Sequence, residues 1–178
     1  LPEYECDGIE PHTGNYYFIV GALCNTVTYS EAYQIVDLTD YRECIEDGLA
    51  YIDYGGYLSN WGGDDHPEMK IAFFNENGAQ IQETDILDTY NSSWTLLRNE
   101  QQIPENTHYV KMILMGTRYA GDDNDSYFDD LFLRVWQNQN CINLLGDLNQ
   151  DSNLNVQDII LMINLVLNND YMFLADIN

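Results

Sequence analysis

Positive charge is what this chain most lacks. Lys and Arg together number 6 against 30 Asp and Glu, a formal net charge of −24 at pH 7. A surface of that sign repels phosphate backbones and anionic membrane surfaces, which argues against nucleic acid and membranes as partners. No apolar run reaches the roughly eighteen residues that span a bilayer, and the chain reads without a signal peptide or anchor. Catalytic signatures are missing as well. There is no G-x-S-x-G elbow, His12, His66 and His108 lie far apart, and no cysteine has a catalytic setting. With so many carboxylates, neighbours such as Asp64-Asp65 or Asp122-Asp123-Asn124-Asp125 do not specify a glycosidase acid–base pair; they read as solvated loops or, less directly, as calcium loops. A non-catalytic protein is expected.

The four cysteines, Cys6, Cys24, Cys44 and Cys141, show neither a C-x-x-C spacing nor a histidine pattern suited to zinc. Two disulfides are the simplest reading, with all three pairings open. Together with the absent initiator Met and the scarcity of Lys, they point to a processed protein in an oxidising extracellular setting. Asn91-Ser-Ser and Asn124-Asp-Ser fit the glycan-acceptor pattern, making Asn91 and Asn124 candidate glycosylation sites.

A chain of 178 residues holds one domain of ordinary size plus a small appendage, and the pattern changes near residue 140. From Leu1 to Gln137 it reads as short strands separated by turn residues. Segments 16–22, 32–38, 49–58, 69–75, 94–98, 109–116 and 127–136 are rich in β-branched and aromatic residues, which predicts an all-β sandwich. Asn77-Gly78, between Ile71-Ala-Phe-Phe74 and Ile81, predicts a hairpin, because Asn-Gly accepts positive φ angles. Alternation puts Val110, Met112 and Leu114 inward and Lys111 outward. The same alternation places Asp129 on the buried face with Leu131, Leu133 and Val135. A buried carboxylate needs a partner. An ion held with Asp130 and the Glu10-Pro-His-Thr-Gly14 turn would supply one; backbone N–H groups or Arg118 would do so equally well.

Beyond residue 140, Asp147, Asn149, Asp151, Asn155 and Asp158 fall at positions 1, 3, 5, 9 and 12 of a calcium-loop pattern, with Asn153 at position 7. Short oxygen-bearing side chains recur at alternate positions because a hard cation takes six to eight oxygens around a tight loop. A polar turn that caps the following helix is the alternative use of such residues. Ser152 stands where such loops carry Gly. At this point the segment resembles the first half of a type I dockerin, and that resemblance implies Ca²⁺ and a cohesin-like binding partner. Leu174-Ala-Asp-Ile-Asn178 resembles the opening of a second repeat, with Asp176 and Asn178 as its first ligands.

After the loop, Val156, Ile159, Ile160, Ile163, Val166 and Leu167 form a helical stripe expected to pack within the chain. Leu161, Met162 and Leu165 lie on the other side and are candidate interface residues. A short helix cannot bury both faces alone, so trimming of a longer chain, docking on the sandwich or head-to-tail assembly with copies of itself would cover the second. Calcium-dependent assembly is the leading expectation, and a carbohydrate-binding module on a dockerin-bearing protein is the alternative.

In the large region, Thr13-Gly-Asn-Tyr-Tyr17, Tyr33-Gln-Ile-Val-Asp-Leu38, Ile103-Pro104 and Asn124-Asp-Ser-Tyr-Phe-Asp-Asp130 resemble a galactose-binding-like jelly roll, a fold that includes many carbohydrate-binding modules. That resemblance implies a structural calcium at Glu10, Gly14, Asp129 and Asp130. It does not carry over a sugar site. Tyr occurs 14 times and Trp three times. Tyr51, Tyr54, Tyr57 and Trp61 form the densest aromatic cluster; Tyr54, Tyr57 and Trp61 are candidate glycan contacts, weighed against ordinary core packing.

Overall fold

A computed structural model describes residues 8–21, 27–62, 64–138, 146–149 and 153–168. The chain divides into two compact units, Leu1–Trp136 and Gln137–Asn178.

The first unit is a β-sandwich of two antiparallel sheets. Its strands are β1 (Phe18–Ile19), β2 (Tyr29–Asp37), β3 (Ala50–Ser59), β4 (His66–Phe74), β5 (Gln80–Glu83), β6 (Leu87–Asp88), β7 (Thr95–Gln102), β8 (Tyr109–Thr117) and β9 (Tyr127–Gln137). One sheet runs β1-β9-β3-β7; the other runs β2-β8-β4-β5, with β6 also paired to β4. Chain neighbours mostly lie in opposite sheets, the crossing pattern of a jelly roll. A 3₁₀ turn at Thr39–Tyr41 and a short helix α1 (Arg42–Glu46) join β2 to β3; this helix has no counterpart in the sequence expectations.

Alternation explains the core. Ile52, Tyr54 and Leu58 of β3, Met69, Ile71 and Phe73 of β4, and Val110 of β8 are fully buried. Met112 and Leu114 follow them inward, while Lys111 lies on the other face as expected. Each such apolar side chain contributes about 1.5–3 kcal/mol by leaving water. The expected hairpin joins β4 to β5. Asn75 Oδ1 accepts the N–H groups of Asn77 and Ala79, and Gly78 takes φ 78°. A residue with Cβ would be strained there.

The second unit contains helix α2 (Val156–Asn168). Asn155 caps it by accepting the Gln157 N–H at 2.8 Å, and Asp158 reaches back to the Asn155 N–H at 2.8 Å. This is a reciprocal capping box. No helix among the described residues is long and apolar enough to cross a membrane.

Candidate functional site

The outer face of the four-stranded sheet carries an uncommon concentration of ring and charge. Because Ile52, Tyr54 and Leu58 point inward, Tyr51, Asp53, Gly55 and Tyr57 of β3 point out. Register pairs them with Gln102, Glu100, Arg98 and Leu96 of β7. On the other side, β9 supplies Phe132, Arg134 and Trp136.

Aromatic stacks bracket this strip. At one end the rings of Trp136 and Tyr51 stack with centroids 4.4 Å apart and planes 10° from parallel. At the other, the His12 and Tyr57 rings stack at 3.5 Å and 19°, with Trp94 edge-on to His12 at 6.3 Å. Six residues of extended strand separate Tyr51 from Tyr57, about 20 Å. Between the stacks, Arg98 Nε and Nη2 donate to the two carboxylate oxygens of Asp53 at 2.6 and 3.0 Å. Asp53, first in effect and then Glu100, hold the Arg98 guanidinium further above its already high range. Arg134 lies with its guanidinium 4.8 Å over the Phe132 ring. Phe132 in turn sits against Gly55: a Cβ there would come within 3.0 Å of its ring and 2.2 Å of Leu97 O. The glycine is what lets the ring lie down on the sheet.

The Glu10–Gly14 turn meets β9 as expected, but through hydrogen bonds. Asp129 Oδ2 accepts the backbone N–H groups of His12 and Thr13 at 2.9 and 3.2 Å, and Asp129 Oδ1 accepts the Asp130 N–H at 2.8 Å. Asp130 accepts from Thr13 Oγ1 at 2.6 Å and lies 2.7 Å from His12 Nδ1. Those two partners, Thr13 first, hold its carboxyl below the ordinary carboxylate range. Asp130 has φ 46°, which interrupts the alternation and lets both carboxylates address one turn. Arg118 instead donates to the carbonyls of Gly121 and Asp122. The donors facing Asp129 are N–H groups, which repel a cation, and Glu10 contributes its carbonyl to Trp94 Nε1. Of the two partnerships open for Asp129, an ion or backbone N–H groups, this structure shows the N–H groups, and Asp130 is satisfied by Thr13 and His12. Among the described residues no group of three or more His, Cys, Asp or Glu side chains converges as a metal-ligand set.

Other expectations separate residue by residue. Tyr54 is fully buried and accepts a hydrogen bond from Asn99 Nδ2, so it is a core residue and not a glycan contact. Tyr57 is on the outer strip. Trp61 is 54 % exposed but lies elsewhere, in a cleft of about 220 Å³ lined with Asp64, Asp65, Ala120, Gly121 and Asp125. Asp65 there is not solvated: it is buried and accepts the N–H groups of Tyr119, Ala120 and Asp125, tying the loops together. Asn91 is exposed. Asn124 is fully buried and donates to the Gly116 carbonyl, which rules it out as an acceptor for a glycan in the folded state. Cys44 is buried and is not a free thiol; Cys6, Cys24 and Cys141 lie outside the described residues.

In the second unit Asp147 and Asp158 are buried, and Asn149, Asn153 and Asn155 are exposed. Asp158 accepts N–H groups from Leu148 and Asn155 at 2.8 Å and from Asn149 at 3.3 Å, with Asn155 the main cause of its lowered carboxyl pKa. Asp151, Asp176 and Asn178 lie outside the described residues. The stripe expected to be packed is the exposed one: Val156, Ile159, Ile160, Ile163, Val166 and Leu167 are each more than half exposed. Leu161 is 37 % exposed, and Met162 and Leu165 are intermediate.

Arg98, Arg134, Phe132, Trp136 and His12 were not singled out from sequence. Alternation within 127–136 puts Phe132, Arg134 and Trp136 opposite Leu131, Leu133 and Val135; that Arg98 shares their face follows only from the pairing of β7 and β9 on either side of β3.

No protein-family model matches the chain, and no curated protein matches it. Similar solved structures include a family 16 carbohydrate-binding module, at 16 % identity and TM-score 0.49 over 69 % of this chain and 79 % of that one. A CBM61 module in complex with β-1,4-galactotriose is similar at 15 % identity and TM-score 0.38, over 71 % and 74 % of the two chains. The enzymatically active domain of bacteriophage CBA120 tailspike protein 4 is similar at 9 % identity and TM-score 0.45; 61 % of this chain is covered, but only 14 % of the tailspike chain.

Proposed function

We propose that the β-sandwich is a non-catalytic carbohydrate-binding module of an extracellular protein, with the glycan lying along the outer face of the four-stranded sheet. The observation that carries this reading is the strip itself: aromatic stacks at both ends, and a guanidinium–carboxylate network between them. Pyranose rings present apolar C–H faces to aromatic planes and hydroxyls to bidentate polar groups, so such a strip meets both needs. Most of its side chains stand on strands, which hold them at fixed spacing, and His12 is held on its turn by Asp129 and Asp130. Titration calorimetry of the chain with a panel of plant and bacterial oligosaccharides tests it. Saturable binding that weakens in Trp136→Ala supports the reading; heat-silent titrations across the panel oppose it.

For the second unit, we propose a calcium-organised segment. Its Asp and Asn oxygens, recurring at alternate positions of the loop, suit a hard cation. When bound, Ca²⁺ would neutralise those carboxylates; Asp147, Asn149, Asp151, Asn155 and Asp158 would hold it. Assembly through α2 is a second reading, favoured by the exposure of Val166 and Leu167 at 72 % and 76 %. Copies of the chain and a cohesin-like protein are the partners it would admit.

A further inference from the structure

Among the described residues Arg134 is held in place without a hydrogen bond from its guanidinium. Its nearest carboxylate oxygen, Asp53 Oδ2, is 3.9 Å away, beyond hydrogen-bond reach. Asp53 is already gripped at both oxygens by Arg98, which also has Glu100 beside it. What fixes Arg134 is the Phe132 ring beneath it, at 4.8 Å, and that ring is itself seated on Gly55. A cation–π contact sets the plane of a guanidinium while leaving its N–H edge free. The side chain is 69 % exposed. Lys111 is likewise seated over rings, 4.8 and 4.9 Å from the centroids of Tyr33 and Phe74; Arg134 differs in presenting a planar guanidinium fork on the strip. It occupies the middle of the strip, between the two aromatic stacks.

We propose that the glycan is acidic, and that Arg134 receives the carboxylate of a uronic acid residue; this rests on the glycan-binding reading above. A planar carboxylate accepts two parallel N–H bonds from the guanidinium fork, whereas a sugar hydroxyl matches only one. The chain's net negative charge works against any anion at long range. It is screened over about 8–10 Å at physiological salt, while the paired contact acts at bonding distance. Selectivity for the carboxylate therefore arises at Arg134 and not from the global field.

The test uses the whole chain and three matched ligand pairs: oligogalacturonate, glucuronoxylan oligosaccharide and oligoalginate, each as the free acid and as its methyl ester. Galactan and xylan oligosaccharides serve as neutral references. The expected result is that at least one acid binds about tenfold or more tightly than its ester at pH 7, and that Arg134→Gln brings that ratio close to one. Equal or tighter binding of every ester overturns the inference, as does a ratio that survives in Arg134→Gln. Binding of galactan or xylan with none of the acids also overturns it but leaves the module reading standing. Binding of no glycan at all removes both. Circular dichroism and melting of Arg134→Gln verify that the ratio is read on folded protein.

Discussion

Arg98 grips Asp53 by both carboxylate oxygens, at 2.6 and 3.0 Å, while Asp53 is only 4 % exposed and the Arg98 side chain is 54 % exposed. A carboxylate so poorly hydrated needs a substitute for water, and the bidentate pair with Arg98 supplies it. The pair also links β3 to β7 across the centre of the strip. Asp53→Ala is expected to lower the melting temperature by about 5 °C, the response of a domain this size to a stability loss of one to two kcal/mol. The same variant frees Arg98 from its fixed pose, so glycan affinity falls as well. Thermal melting and calorimetry on one preparation read both effects.

Gly55→Ala separates the strip from the rest of the fold. The added methyl would stand 2.2 Å from Leu97 O and 3.0 Å from the Phe132 ring. The β7 backbone at Leu97 has to shift, and the Phe132 ring has to lift to clear the added methyl, at a cost of about 1–3 kcal/mol by analogy with overpacked cores. A lifted ring takes the platform from under Arg134. The expected outcome is a folded protein with reduced melting temperature and at least severalfold weaker glycan binding; unchanged binding would show that Phe132 does not position the site.

Asp125 provides a pH test of the loop end. Burial is the first cause that raises its carboxyl pKa above the ordinary 3.8, with the charges of Asp65 and Asp123 adding to it, against the hydrogen bond from Tyr127. A group whose folded pKa is raised contributes stability below its unfolded pKa and loses that contribution as pH rises through the folded value. At neutral pH ionised Asp125 is therefore a net burden. Asn at this position keeps an acceptor for the Tyr127 hydroxyl, which now donates at 2.6 Å. Asp125→Asn should melt higher than the parent at pH 7, with the gain shrinking as the pH falls toward 3. A variant that is less stable at pH 7 contradicts this.

Calcium addition should raise the helical circular-dichroism signal and the thermal stability of the chain, and a chelator should reverse both. Asp147→Ala is expected to abolish the response, because it removes the first ligand of the loop. A signal indifferent to calcium and chelator would contradict the calcium reading and leave these side chains with hydrogen-bonding roles such as the Asn155–Asp158 cap.

How much of this was legible in the sequence varied with how local the cause was. Enrichment in β-branched and aromatic residues locates most of the strands, and period-two alternation puts Val110, Met112 and Leu114 inside, because both depend only on the local chain. The Asn77-Gly78 hairpin was readable for the same reason. Tyr54 was misread because aromatic density does not say which face a ring occupies, and parity with Ile52 and Leu58 decides it. Alternation also puts Asp129 on the buried face, where it accepts the N–H groups of His12 and Thr13, one of the partnerships left open by the sequence; the positive φ of Asp130, which turns the second carboxylate to the same turn, is not legible there. The strip itself joins side chains from β3, β7 and β9, distant in sequence. It becomes visible only once strand order is known.

The most direct test of the central claim is a binding isotherm of the chain with oligosaccharides, set beside Trp136→Ala and Tyr57→Ala, one from each end of the strip. The account predicts saturable binding weakened about tenfold or more by either substitution, as loss of about 1.4 kcal/mol of stacking at each would give. Glycan binding that persists unchanged in both variants, or that is lost only on substitution of Trp61, would contradict it.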